Sequence, residues 1–151
     1  MEHLKAVIVE DEEASRETLN AYVAKYCEGV SVVAMAESVK IGLEVIKEHS
    51  PDIVFLDVEM PFGNAFDVLE QTQEVDYHTI FITAYSDYAI KALNYSAAYY
   101  ILKPISIEEL VSAVEKVREI NQESNFSELK KVLQQNLGNE GIQRIVLPNQ
   151  S

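Results

Sequence analysis

The chain has 151 residues, 48% of them apolar and only five of them Gly, which suits one globular domain with a sizeable core plus an appendage. Its formal net charge of −13 argues against direct binding of this segment to nucleic-acid phosphates or anionic lipid. The single cysteine, Cys27, excludes an internal disulfide and fits a reducing cytoplasm, while no signal peptide and no apolar run of membrane-spanning length is present.

In chain order, Leu4–Val9 is a β-branched apolar run that predicts the first strand, and it runs into the acids Glu10 to Glu13. Leu19, Tyr22, Val23 and Tyr26 then recur at helical spacing and predict one apolar stripe. Val30–Ala36 predicts the second strand, and Val39, Leu43 and Ile46 a second helix. Ile53–Leu56 predicts a third strand that delivers a carboxylate, Asp57, at its end. Met60 and Phe62 are expected to pack the following loop over that end, and Phe66 and Leu69 mark a short helix. Thr79–Thr83 predicts the fourth strand, Ala89 and Leu93 a short helix, and Tyr99–Leu102 the fifth strand. Ser106 and Glu109 form an S-x-x-E capping box ahead of a helix marked by Ile107, Leu110, Val114 and Val117. From Asn121 the chain turns polar, with Phe126, Leu129, Val132 and Leu133 at helical spacing, and reads as a linker or an extra helix ending near Gly138. The terminal "IQRIVLPNQS" reads as one strand, either opening a further domain or forming a frayed tail.

Alternating strands and helices imply an α/β fold, a doubly wound five-stranded parallel sheet with helices on both faces. The continuous apolar runs at Val7–Val9 and Ile53–Leu56 suit strands covered on both sides. A common order for five such strands is 2-1-3-4-5, which puts a ligand crevice beyond the carboxyl ends of strands 1 and 3. Glu10, Asp11 and Asp57 converge there. Close carboxylate pairs repel by a few kcal/mol at an effective dielectric of ~20, and a divalent cation offsets this. All-oxygen ligands suit Mg²⁺ or Mn²⁺ rather than zinc. Glu12 and Glu13 are accounted for as acids opening a helix; Asp57 is not. Thr83 and Lys103 end strands 4 and 5 on the same rim. An aspartate can act as a nucleophile towards phosphorus, with a metal and a lysine stabilising the phosphoryl oxygens. No P-loop or G-x-G-x-x-G offers a nucleotide cradle. His3, His49 and His78 are scattered and read as surface residues.

"VEDE", "FLDVEMP", "ITAY" and "LKP", in that order and each at a strand end, resemble the receiver domain of bacterial two-component response regulators. The resemblance covers roughly residues 4 to 121. It implies a flavodoxin-like receiver fold at residues 1–121, with a C-terminal helical extension in 122–151. It implies that Asp57 accepts a phosphoryl group from a sensor histidine kinase. It also implies Mg²⁺ held by Glu10, Asp11, Asp57 and the backbone carbonyl of Glu59. Thr83 and Lys103 would contact phosphoryl oxygens, and Tyr100 would be a switch aromatic that turns inward as Thr83 moves. The implied output is a change in the face formed by helix 4, strand 5 and helix 5, through which the chain would form a homodimer. Such a domain is a signalling switch that assists its own phosphorylation and dephosphorylation rather than an enzyme, and is cytoplasmic. Two positions depart from the pattern: Glu10 stands where Asp is commoner, and Ala65 where Gly usually stands. "TAYSDYAIKAL" (Thr83 to Leu93) resembles receivers coupled to LytTR-type DNA-binding domains. Residues 122–151 would then hold a linker and the start of that output domain, with DNA contacted only beyond this segment. An alternative is a phosphatase of the haloacid-dehalogenase type, which also uses a strand-end Asp, a Thr and a Lys around Mg²⁺. That class needs D-x-D on its first strand and a metal-binding acid pair late in the chain, whereas here the pair comes first and the third residue of "DVE" is Glu59. A third reading is an interaction module whose rim acids are incidental.

Overall fold

The structure, a computed structural model, describes residues 2–140, with side chains to residue 135. Five strands, β1 (Leu4–Val9), β2 (Val30–Ala36), β3 (Ile53–Leu56), β4 (His78–Thr83) and β5 (Tyr99–Leu102), form one sheet in the order β2-β1-β3-β4-β5. Every neighbouring pair is parallel. The helices are α1 (Glu13–Tyr26), α2 (Val39–His49), α3 (Ala65–Gln71), α4 (Ala89–Asn94) and α5 (Ile107–Glu140).

Alternation along each strand sends side chains to two separate cores. Ala6 and Ile8 of β1, with Phe55, Ile80 and Ile101, pack against Leu19 and Val23 of α1 and Leu110, Val114 and Val117 of α5. Val7 and Val9, with Val54, Leu56 and Phe81, pack against Ile46 of α2, Phe66 and Val68 of α3 and Ala92 of α4. Ile8, Phe55, Phe81 and Ile101 are fully buried, and each stabilises the fold by about 2 kcal/mol or more. Burial on both faces is why these strands read as unbroken apolar runs.

Caps fix where the helices begin. Ser38 accepts the Ile41 N–H at 3.2 Å to open α2. Ser106 accepts the Glu109 N–H at 3.3 Å to open α5. Asn64 opens α3 through a reciprocal box: its side chain accepts from Phe66 and Asp67, and Asp67 accepts the Asn64 N–H at 2.9 Å. This explains Ala65. The turn is made one step earlier, in a short antiparallel hairpin pairing Glu59–Met60 with Gly63–Asn64. Ala65 is then the first helical residue, with its methyl group buried.

Several expectations need correction. Leu93 does not face the core: it is 71% exposed, and Ala92 is the buried residue of α4. A helix of six residues has too few turns for spacing to reveal which side is covered. Tyr26 is exposed, so the buried stripe of α1 narrows to Leu19 and Val23 with Tyr22 beside them. Met60 is buried as expected, but Phe62 is fully exposed.

The chain divides into two compact units, one ending at Val117 and the other beginning at Arg118. In the second, α5 continues through Asn121 to Glu140, with Leu129 and Val132 exposed and Phe126 and Leu133 half-buried. The strand expected after Ile142, and any start of an output domain there, lie outside the described residues. Among the described residues no helix is long and apolar enough to cross a membrane.

Candidate functional site

Parallel pairing brings the site together. Asp57, one residue past β3, donates its N–H to the Val9 carbonyl at 3.0 Å, which ties it to the end of β1. Glu10, one residue past β1, donates its N–H to Ala36 at 2.9 Å. Lys103, one residue past β5, donates its N–H to the Thr83 carbonyl at 2.8 Å. Its peptide bond to Pro104 is cis. Arg16 on α1 donates to the carbonyls of Glu10 at 2.8 Å and Asp11 at 3.4 Å, holding the acidic turn in shape.

The Lys103 ammonium donates to Asp57 Oδ2 at 3.0 Å and to Glu10 Oε1. Asp57 Oδ1 accepts the Val58 N–H at 2.7 Å, and Glu10 Oε2 accepts the Glu12 N–H at 3.2 Å. Both acids are buried, at 4% exposure for Glu10 and 7% for Asp57. Burial pushes the Glu10 carboxyl up to about 7, against the pull of its Lys103 bond, and the Asp57 charge adds to the rise. Burial works against the charged Lys103, but its bonds to Glu10 and Asp57 prevail and raise its pKa. One ammonium is thus shared by two buried carboxylates, and with Asp11 beside them the cluster retains an excess of negative charge.

Glu10, Asp11 and Asp57 each offer a carboxylate oxygen, all within 4.8 Å of one another. Octahedral Mg²⁺ holds oxygens about 2.1 Å away, so opposite ligands lie roughly 4.2 Å apart. The donor chemistry and the span therefore fit that ion with small side-chain rotations. Among the described residues this is the single such group.

The remaining expected residues lie beside this cluster. Thr83 ends β4, is fully buried, and accepts the Tyr85 N–H at 3.4 Å. Leu56 pairs with Phe81, so Asp57 and Thr83 both emerge at the carboxyl ends of adjacent strands. Glu59 begins the short hairpin, is exposed, and accepts the Tyr88 hydroxyl at 3.4 Å. The Glu59 charge is the main reason the Tyr88 phenol is raised. Tyr100 is half-buried, stacks at 5.6 Å on Phe81, and donates its hydroxyl to the Tyr85 carbonyl. The tyrosines near β5 are split by the sheet. Tyr99 packs with the α1–α5 core, whereas Tyr88, Tyr95 and Tyr100 pack on the opposite face. Consecutive residues of a strand point to opposite sides.

Sequence reasoning missed Arg16 and the Tyr88–Glu59 contact. A basic residue one turn into a helix that follows an acidic run was the available signal for Arg16; nothing local marks Tyr88. A groove of about 470 Å³ opens beside Lys103, lined by Thr18 and Tyr22 of α1 and by Pro104 and Ile105.

The family model for the response regulator receiver domain matches residues 6–115. A response regulatory protein of Vibrio cholerae is 39% identical over 117 residues, which is 76% of this chain and 44% of that protein. The sensory transduction protein LytT of Enterococcus faecalis is 35% identical, over 75% of this chain and 47% of LytT. LytR of Staphylococcus haemolyticus is 32% identical, over 96% and 59% respectively. The chain thus spans about half the length of the curated relatives it matches. Among solved structures, the receiver domain of AraT, a response regulator from Geobacillus stearothermophilus, aligns with a TM-score of 0.73 at 29% identity, covering 81% of this chain and 98% of that one. A DNA-binding response regulator of the LuxR family from Staphylococcus aureus aligns with a TM-score of 0.69 at 27% identity, covering 76% and 98%. With the parallel strand order, these matches assign the chain to the receiver-domain family of two-component response regulators.

Proposed function

We propose that Asp57 is a phosphoacceptor and that this chain is the switch half of a LytT/LytR-type regulator. The observation that supports it best is the Asp57 carboxylate itself: buried at a strand end, bonded to Lys103, and flanked by Glu10 and Asp11. In the proposed step a carboxylate oxygen of Asp57 attacks phosphorus on a sensor kinase phosphohistidine. A P–O bond forms, the P–N bond breaks, and the imidazole nitrogen leaves with the electron pair. Lys103 is placed to follow the negative oxygens of the transferred group, and Thr83 to donate its hydroxyl to one of them. Glu10, Asp11, Asp57 and the Glu59 carbonyl would hold Mg²⁺, or Mn²⁺ in its stead. When bound, that ion neutralises carboxylate and phosphoryl charge.

The proposed response is a shift of the Tyr100 side chain and the α4–β5–α5 face towards a dimerising state. Residues 1–121 would be the receiver and 122–151 the connection to a LytTR output domain, which would carry DNA binding in a cytoplasmic transcription regulator. The chain would assist its own phosphorylation and dephosphorylation without turning over an external substrate. No relative named above is a haloacid-dehalogenase-type phosphatase, and the proposed acceptor acid follows β3 rather than the first strand.

Incubation with Mg²⁺ and acetyl phosphate tests the reading by intact mass. The expected result is a gain of one phosphoryl group that EDTA abolishes and Asp57→Asn lacks. Sustained release of phosphate without a modified protein, or modification that survives Asp57→Asn, would overturn it.

A further inference from the structure

Phe62 stands apart from every other aromatic in the chain. It has 107% of its reference exposure, the highest among the exposed large apolar residues described. Its backbone lies at φ +60°, in the left-handed region that bulky L-residues rarely adopt. It occupies the two-residue loop Pro61–Phe62 between the paired arms Glu59–Met60 and Gly63–Asn64. Pro followed by a residue at positive φ is turn geometry that selects Gly or Asn at the second place. Both solvent and backbone therefore disfavour Phe62 in this chain alone, and a strained, exposed aromatic points to a contact outside it.

A groove of about 440 Å³ adjoins it, lined by Ser38, Val39, Lys40 and Leu43 of α2 together with Pro61 and Phe62. The hairpin is held hard against α2: a Cβ added to Gly63 would fall 2.8 Å from Val39 Cγ2. Knob and groove are thus fixed side by side on one surface. Lys40 at the groove makes no ion pair among the described residues, although the chain carries a net charge of −13. The arm leading to Phe62 carries an exposed acid, Glu59.

We propose that this patch is an isologous contact with a second copy of the chain. A two-fold axis beside the hairpin seats each Phe62 in the partner's α2 groove and brings each Glu59 towards the partner's Lys40. A patch that carries both an apolar knob and its hole, and both signs of charge, is complementary to itself, as a two-fold interface requires. A foreign partner would need only one half of it. The contact area is small, so the association is weak and concentration-dependent. It goes beyond the phosphoacceptor reading and does not rest on it. The groove is lined by none of the α4–β5–α5 residues, so the contact does not require phosphorylation.

Sedimentation velocity of the unphosphorylated chain, from micromolar to millimolar concentration in salt that screens general repulsion, tests it. The sedimentation coefficient should rise with concentration. Phe62→Gly, which suits the backbone and should leave the melting temperature unchanged or higher, should weaken association by about tenfold or more. Lys40→Glu should weaken it too, by placing like charges across the axis. Methyl resonances of Val39 and Leu43 should shift with concentration in the parent chain alone. A chain that stays monomeric throughout overturns the proposal and leaves the groove to a different protein. So does association unchanged by Phe62→Gly or by Lys40→Glu, or concentration-dependent shifts centred on Ile90 and Leu93.

Discussion

The carboxyl rim of the sheet has two halves held by different forces. On the β1–β3 side, Glu10 and Asp57 are almost fully buried and share one ammonium, and backbone N–H groups fill further lone pairs. On the β4–α4 side, Tyr85, Ile90 and Leu93 are 45%, 77% and 71% exposed. The loop there is tied by two long hydrogen bonds of 3.4 Å, from the Tyr85 N–H to Thr83 and from Tyr88 to Glu59, and by the Tyr100 hydroxyl on the Tyr85 carbonyl. Helix α4 contributes one buried residue, Ala92. The first half is rigid and electrostatically expensive; the second is weakly tethered, with apolar surface already in water. Elements that move come from such low-stability regions. On the proposed function, the first half would hold the chemistry and the second would carry the response.

The largest test of that contrast is Lys103→Met. It leaves two buried carboxylates without their shared cation, and removing one member of a buried ion pair costs about 3 kcal/mol or more. Urea denaturation in EDTA at pH 8 should show that loss. A comparable truncation on the other half, Leu93→Ala, removes an exposed side chain and should stay within about 0.5 kcal/mol. Equal effects would erase the distinction between the halves.

Next in size is the pH dependence carried by Glu10. Its folded-state pKa of about 7 lies above the ordinary 4.5, so the folded chain holds a proton that the unfolded chain has released. Its contribution is complete below about pH 4.5, declines as pH rises, and is lost above about pH 7. The loss is on the order of 3 kcal/mol. Without divalent cations the parent chain should therefore melt at a lower temperature at pH 8 than at pH 5. Glu10→Gln should flatten that slope by the amount Glu10 supplied. An unchanged slope would move the effect to general repulsion within an acidic chain.

How far the sequence reached follows from the range of each interaction. The central strands were legible because both faces are covered and they are rich in buried Val, Ile, Leu and Phe. Glu10, Asp11, Asp57 and Lys103 were legible as a group because parallel strand order brings their ends to one crevice. The bond between Lys103 and Glu10 was not, since 93 residues separate the partners and no local pattern encodes it. Glu10 was expected to serve a metal, and it is also the acid that shares the ammonium. Phe62 was misjudged because its neighbour Met60 is buried, and a hairpin with two-residue arms leaves no periodicity to read. The capping box at Asn64 and Asp67 lacks the Ser or Thr and the Glu or Gln that usually mark one, so it does not stand out in the sequence.

The smallest effect tests the looser half directly. Tyr100→Phe deletes one hydroxyl and leaves the ring against Phe81. The Tyr85 carbonyl loses a donor, but its exposed neighbourhood lets water replace it, so the cost should be only about 0.5–1 kcal/mol. Global stability is thus a poor gauge, and the useful measurement is local. If the Tyr100 hydroxyl tethers the Tyr85–Tyr88 segment, backbone amides there should exchange with solvent about two- to fivefold faster in the variant. Amides of β1 and β3 should not change, because their protection comes from the sheet and its two cores. Faster exchange spread evenly over both halves would show that the hydroxyl supports the fold as a whole. Exchange confined to the β4–α4 loop would mean that releasing a single hydroxyl is enough to loosen that half of the rim while the acids opposite stay in place.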